Sequence, residues 1–258
     1  MDNIEKLIKA FQELIVFVND SFSPALQKKN KTSYLDVVIY FLFTKNYKTF
    51  NALYLLCINS YGQDALILSR SIFECFITLA YISKENSEKR AELFAFDGVL
   101  KNRKLIIEAI ENNYSPNYFN SEILIKFNNQ NELFCNKAIE LRNEEKKRLK
   151  DKWKPNQWAG LSIKDMAKSI GLADFYYWGP YYLLSNQAHS NGNSAIEYSG
   201  LEGNLDDEMA CNEAIEKSLI MGYDFLLKTL YSVNNVFSLE FNKKIEALEE
   251  KYSNLIAK

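Results

Sequence analysis

One histidine, His189, is the whole imidazole complement of this 258-residue chain. That scarcity excludes every metal site built from several histidines, and the four cysteines do not replace them. Cys57, Cys75, Cys135 and Cys211 are far apart, with no C-x-x-C pair between them. No metal and no cofactor is expected. Turn formers are equally scarce: 9 glycines and 4 prolines make about 5% of the chain, against roughly 12% in average usage. Sandwiches, barrels and doubly wound folds need many turns, so long helices with few connections are indicated. An excess of one charge is also missing. Thirty-one Lys and Arg against 33 Asp and Glu give −2, too balanced a field to draw the chain onto DNA or anionic lipid. The longest uncharged run, Thr49 to Gln63, has 15 residues, four of them Asn51, Asn59, Ser60 and Gly62. A membrane span wants about 20 apolar residues. The opening MDNIEKLIKAFQEL carries charges through its apolar positions, unlike a signal peptide. A cytoplasmic, reduced protein with no membrane partner is the expectation.

What is present is helical periodicity. Apolar side chains at Ile4, Leu7, Ile8, Phe11, Leu14, Ile15 and Val18 form one stripe, which Asp20 to Pro24 should break. Thr32 or Ser33 can cap a second helix through YLDVVIYFLF. Residues 49–83 are apolar on nearly every side, interrupted only at Tyr61-Gly62-Gln63. This pattern predicts one kinked helix, or two in line, at the centre of a bundle. Further helices are expected over 86–113, 118–154 (stopped by Pro155), 162–170 with Ser162 and Asp165 as a capping pair and Gly171 as its stop, 206–232 and 235–257. The fold class is all-α: a single domain over 1–258, a bundle of about eight to ten helices around a buried central one.

Two groups of residues could carry chemistry. Asn59, Gln63, Arg70 and Glu74 fall within an arc of about 60° if one helix carries them all, a polar stripe on an apolar element. A buried guanidinium must be paired, and Glu74, one turn on, is the local partner. One carboxylate does not use all five donors of Arg70, so the pair can face a ligand; a register-fixing ion pair is the alternative. Tyr182, Ser185 and His189 share a second helical face, and His189 alone has an ordinary pKa suited to proton transfer at neutral pH. No phosphate-binding glycine loop, dinucleotide fingerprint, zinc-protease motif or nucleophile elbow is present. The 142–154 tail has seven basic and three acidic residues. It reads as a solvated face, as does the acidic stretch 202–216, and the aromatic run 175–182 reads as core.

Two segments resemble a known family. They are Tyr61-Gly62-x-x-Ala65-x-x-x-x-Arg70-Ser71-x-x-Glu74 with Tyr81-Ile82, and Trp158-x-Gly-x-Ser162-Ile163, Ala167, Gly171 with Tyr182-x-x-Ser185-x-x-x-His189-Ser190. Together they are similar to a large, mostly bacterial family of all-helical proteins with no assigned function, over roughly residues 35–232, on which the N- and C-terminal helices would pack. The resemblance singles out Arg70, Glu74, Ser185 and His189. A more distant similarity is to the HEPN superfamily, helical bundles in which an Arg and a His form a metal-independent RNase site in toxins and phage-defence effectors. That signature places Arg four to six residues before His on one helix; here the nearest upstream arginine is Arg148. An equivalent site would join Arg70 and His189 from two helices.

The resemblance implies a ribonuclease or nucleotide-processing effector of a toxin or phage-defence system. Arg70, Glu74 and His189 would be catalytic, with Asn59, Gln63, Tyr182 and Ser185 lining the pocket. RNA or a nucleotide, a protein of the same defence system and a second copy of the chain are the implied partners. The other expectation is a non-catalytic helical module that clamps a small anion or a protein through the same cluster.

Overall fold

A computed structural model describes residues 3–115, 117–172 and 208–257. Among these residues the chain forms helices and turns and no strand, an all-α bundle as the scarcity of turn formers indicated. The helices are α1 (Asn3–Phe17), α2 (Ser23–Gln27), α3 (Tyr34–Ile58), α4 (Gly62–Lys84), α5 (Ser87–Glu111), α6 (Ser121–Leu149), α7 (Ile163–Ser169), α8 (Glu208–Phe237) and α9 (Asn242–Ile256).

Helix boundaries follow local chemistry. Ser33 caps α3: its hydroxyl accepts from the Asp36 N–H at 3.1 Å, and the Asp36 carboxylate accepts from the Ser33 N–H at 3.1 Å. Ser162 and Asp165 repeat the reciprocal cap on α7. Gly171, with φ +87°, stops that helix in the left-handed conformation that glycine adopts without strain.

Three expectations are corrected. Asp20 to Pro24 does not break the chain into a loop. Val18–Phe22 makes a π-helical turn that passes directly into α2, with Pro24 in the first turn of α2, where a missing N–H costs nothing. The long helix over 118–154 ends at Leu149, and Lys150 turns left-handed (φ +48°) before Pro155 is reached. The apolar stretch 49–83 is not one helix or two in line. Its chain reverses through Asn59-Ser60-Tyr61, with Ser60 at φ +65°, so α3 and α4 pack side by side and antiparallel. Cys75 Sγ, deep in α4, lies 3.2 Å from the Leu42 carbonyl oxygen of α3.

The core is the α3–α4–α8 trio. Helix α4 runs parallel to α8, and its small residues permit a close approach. A Cβ on Gly62 would lie 2.5 Å from the Cys211 carbonyl oxygen and 2.8 Å from the Ile215 nitrogen. Ser69 and Ser218 continue the seam, both fully buried. Phe73 and Phe225 pack 4.8 Å apart beyond them. Helix α1 adds Phe11, stacked on Phe50 at 4.3 Å, and α9 adds Tyr252, stacked on Tyr223 at 4.2 Å. Length and composition would let α4 cross a membrane, but 67% of its most apolar window is buried inside the bundle. All-round apolarity did not bury α3 completely: Val37, Phe41 and Leu55 are each more than half exposed. Helices α5 and α6 form an antiparallel hairpin on the outside, tied by Arg142 to the buried Asp97 at 2.9 Å.

Candidate functional site

The polar stripe survives in part. Asn59 is the C-terminal cap of α3, exposed, its amide donating to the Leu55 carbonyl at 2.7 Å. The chain reversal separates it from the other three, which stand on α4. Gln63 is half-buried in the first turn, and Arg70 Nε donates to Glu74 Oε1 at 2.9 Å. The Arg70 side chain is 20% exposed and that of Glu74 37%. Neither is sealed in a dry core, so the desolvation cost of an internal ion pair is not incurred in full.

The mounting of this pair is rigid. Ser69, beside Arg70 in sequence, is fully buried against α8, its hydroxyl 3.2 Å from the Ala65 carbonyl oxygen and 3.5 Å from that of Ser218. Ile72 and Phe73, on the other side, are fully buried too. The backbone under the guanidinium is therefore fixed by core packing. Glu74, engaging the Nε edge, sets the plane of the guanidinium. A guanidinium oriented this way suits an anionic oxygen arriving from solvent. Tyr182, Ser185 and His189, the other predicted site residues, lie outside the described residues, as does the aromatic run 175–182.

A second polar constellation was not anticipated. Arg90, on α5 and with only 8% of its side chain exposed, places its guanidinium 3.8 Å from the centre of the Tyr81 ring. It donates to the Tyr81 carbonyl and to Glu85 Oε1, each at 2.5 Å. Trp158 meets Tyr81 edge-on at 5.9 Å. Burial holds the Tyr81 phenol above its usual range, although Arg90 and Arg148 pull the other way. Arg148 is held in turn by Glu145, at 2.6 Å. The sequence signal was thin: Arg90 meets Tyr81 only because Asn86, left-handed at φ +47°, folds α5 back against the end of α4. These groups satisfy one another, and their arrangement joins the α5–α6 hairpin to the core.

The basic tail 142–154 is used in the same way. Arg142 binds Asp97, Arg148 binds Glu145 and Lys154 binds Asp165, while Lys146, Lys147, Lys150 and Lys152 are exposed. Three of the four cysteines are buried. Burial pushes the Cys57 thiol up to about 12 and that of Cys75 up to about 11, far from a reactive thiolate. Among the described residues, no three His, Cys, Asp or Glu side chains gather closely enough to hold a metal ion.

Comparison with curated proteins and with solved structures returns no match. A family model does match, over residues 36–209, from the first turn of α3 to the start of α8. That range covers two thirds of the chain, including Arg70, Glu74 and His189. The chain belongs to the family of unknown function DUF5677.

Proposed function

We propose that the protein acts on the phosphates of RNA, as a metal-independent endoribonuclease in which Arg70 and His189 cooperate and Glu74 positions Arg70. The observation that carries this reading is the geometry of the pair: a guanidinium on the most tightly packed helix, oriented through Nε by Glu74 at 2.9 Å and open to solvent over a fifth of its side chain. In this reaction His189, neutral, takes the proton of a ribose 2′-hydroxyl. The bond from O2′ to phosphorus forms, the bond from phosphorus to O5′ breaks, and the proton returns to the departing 5′-oxygen. Arg70 stabilises the charge that builds on the phosphoryl oxygens. RNA carries its own nucleophile, so no metal-activated water is needed. A toxin or phage-defence effector is the setting such an activity would suit.

The test is cleavage of an end-labelled single-stranded RNA in EDTA. A 2′,3′-cyclic phosphate end is expected, with no cleavage of the 2′-deoxy analogue. His189→Ala should lower the rate about 10²–10⁴-fold and Arg70→Ala about 10²–10³-fold, with unfolding curves unchanged. Undiminished cleavage by His189→Ala sinks the mechanism. The charge of −2 favours a second reading, in which the pair clamps a small anionic ligand without turnover. Nucleotide binding that needs Arg70, in a protein that leaves RNA intact, would establish that alternative.

A further inference from the structure

The C-terminal turns of α4 and α8 and the end of α7 enclose a cleft of about 580 Å³, within the usual range for small-molecule sites. Phe76 and Ala80 of α4, Ile170 and Leu172 after α7, and Val236 of α8 give it an apolar floor. Two ammonium groups, those of Lys84 and Lys228, also line it, and no carboxylate does. That is an uneven distribution for a chain with slightly more acidic than basic residues. The nearest acids are engaged elsewhere: Asp224 pairs with Lys228, and Glu249 accepts the Tyr231 hydroxyl at 2.9 Å. Lys84 donates to the Ser169 carbonyl at 2.5 Å, offsetting the negative end of α7. An ammonium has three N–H donors, so this bond leaves it further capacity.

Phe76, Ala80 and Ser83 are turned roughly 100–160° around α4 from Arg70 and Glu74, so this cleft is separate from the phosphate-directed pair. We infer that it binds an amphiphilic carboxylate, with an alkyl or aryl body on the Phe76–Ala80–Val236 floor and the carboxylate at the Lys84 and Lys228 rim. The apolar body supplies the burial term, and the two cations select against neutral or cationic amphiphiles of the same size.

Calorimetric titration of the full chain with decanoate and with decylamine tests the inference. Decanoate should bind saturably at one site, at least tenfold more tightly than decylamine. Lys84→Glu, at an exposed position that leaves the core alone, should weaken decanoate about tenfold, which is about 1.4 kcal/mol, and narrow or reverse the preference. Ala80→Trp fills the floor and should abolish decanoate binding, with near-ultraviolet circular dichroism as the check on its fold. Arg70→Ala should bind decanoate like the parent chain, so failure here and failure of the ribonuclease reading are distinguishable. Equal affinity for the two amphiphiles, decanoate binding unchanged in Lys84→Glu, or no saturable binding up to about 1 mM would each overturn the inference.

Discussion

The approach of α4 to α8 makes Gly62→Ala an unusually sharp test of the packing. An added methyl meets the Cys211 carbonyl oxygen at 2.5 Å, the Ile215 nitrogen at 2.8 Å and the Ala214 Cβ at 3.0 Å. The first two belong to the backbone of α8, so relief requires moving a helix rather than rotating a side chain. Overpacking of this kind costs about 1–3 kcal/mol, against which Ala gains about 0.5–1 kcal/mol over Gly inside a helix. A net loss of about 1–2 kcal/mol remains, or about 2–8 °C in Tm for a domain of this size. Gly98, on the exposed side of α5, is the internal control, since a methyl there meets nothing within 4 Å. The same substitution at Gly98 should raise Tm by about 1–4 °C. Trimming Ala214 to Gly in the Gly62→Ala background should restore little, because the two backbone contacts persist. Differential scanning calorimetry of the four proteins reads all of this. Equal, positive shifts at Gly62 and Gly98 would refute the close parallel packing of α4 on α8.

Other expectations follow from the same kind of contact. Ser162→Ala removes one half of the α7 cap and should cost about 1 kcal/mol in urea unfolding at pH 7. Burial would raise the Asp165 carboxyl, but hydrogen bonds from Ser162 and Lys154 outweigh it and hold that group below its ordinary value. A lowered folded-state value gives stability that is present above the ordinary aspartate range and lost as pH falls through the lowered one. The gap between parent and Ser162→Ala should therefore narrow near about pH 3. Arg90→Met deprives the Tyr81 carbonyl of a charged donor and the Tyr81 ring of its cation, and should cost about 2 kcal/mol in the same assay. Ellman's reagent at pH 7 should modify the partly exposed Cys211 in the folded protein, and all four cysteines only in denaturant. Prompt reaction of Cys57 or Cys75 in the folded state would contradict their burial.

The legible parts of the fold were those written in adjacent residues. Ser33 with Asp36, Ser162 with Asp165, and Gly171 each act on backbone groups within one turn, so spacing alone reveals them. The hidden parts were reversals made without a glycine in the left-handed position. Ser60, Asn86 and Lys150 all take positive φ, and none of them interrupts the apolar pattern as Gly or Pro would. The reversal at Ser60 also separated Asn59 from Gln63, Arg70 and Glu74, because a 100° helical wheel presupposes one continuous helix. The Arg70–Glu74 pair was legible for the opposite reason, being a contact within one turn of α4. Arg90 on Tyr81 was illegible, since a cation over a ring leaves no trace in spacing once the chain has turned between them.

The parallel seating of α8 on α4 also governs the order in which the protein can be made. Well over a hundred residues lie between Lys84 and Glu208, and α5, α6 and α7 are all emitted by the ribosome before α8 exists. Until then the small-residue face of α4, with Ala65, Ser69 and Phe73, has no α8 to cover it. Closing so long a loop is entropically tolerable but slow, because the contact rewards the chain only after the whole excursion is complete. The nascent chain therefore carries its most apolar helix half-covered for most of its synthesis. Its vulnerable species is the one truncated before α8, which retains the α3–α4 hairpin and lacks the helix that encloses it.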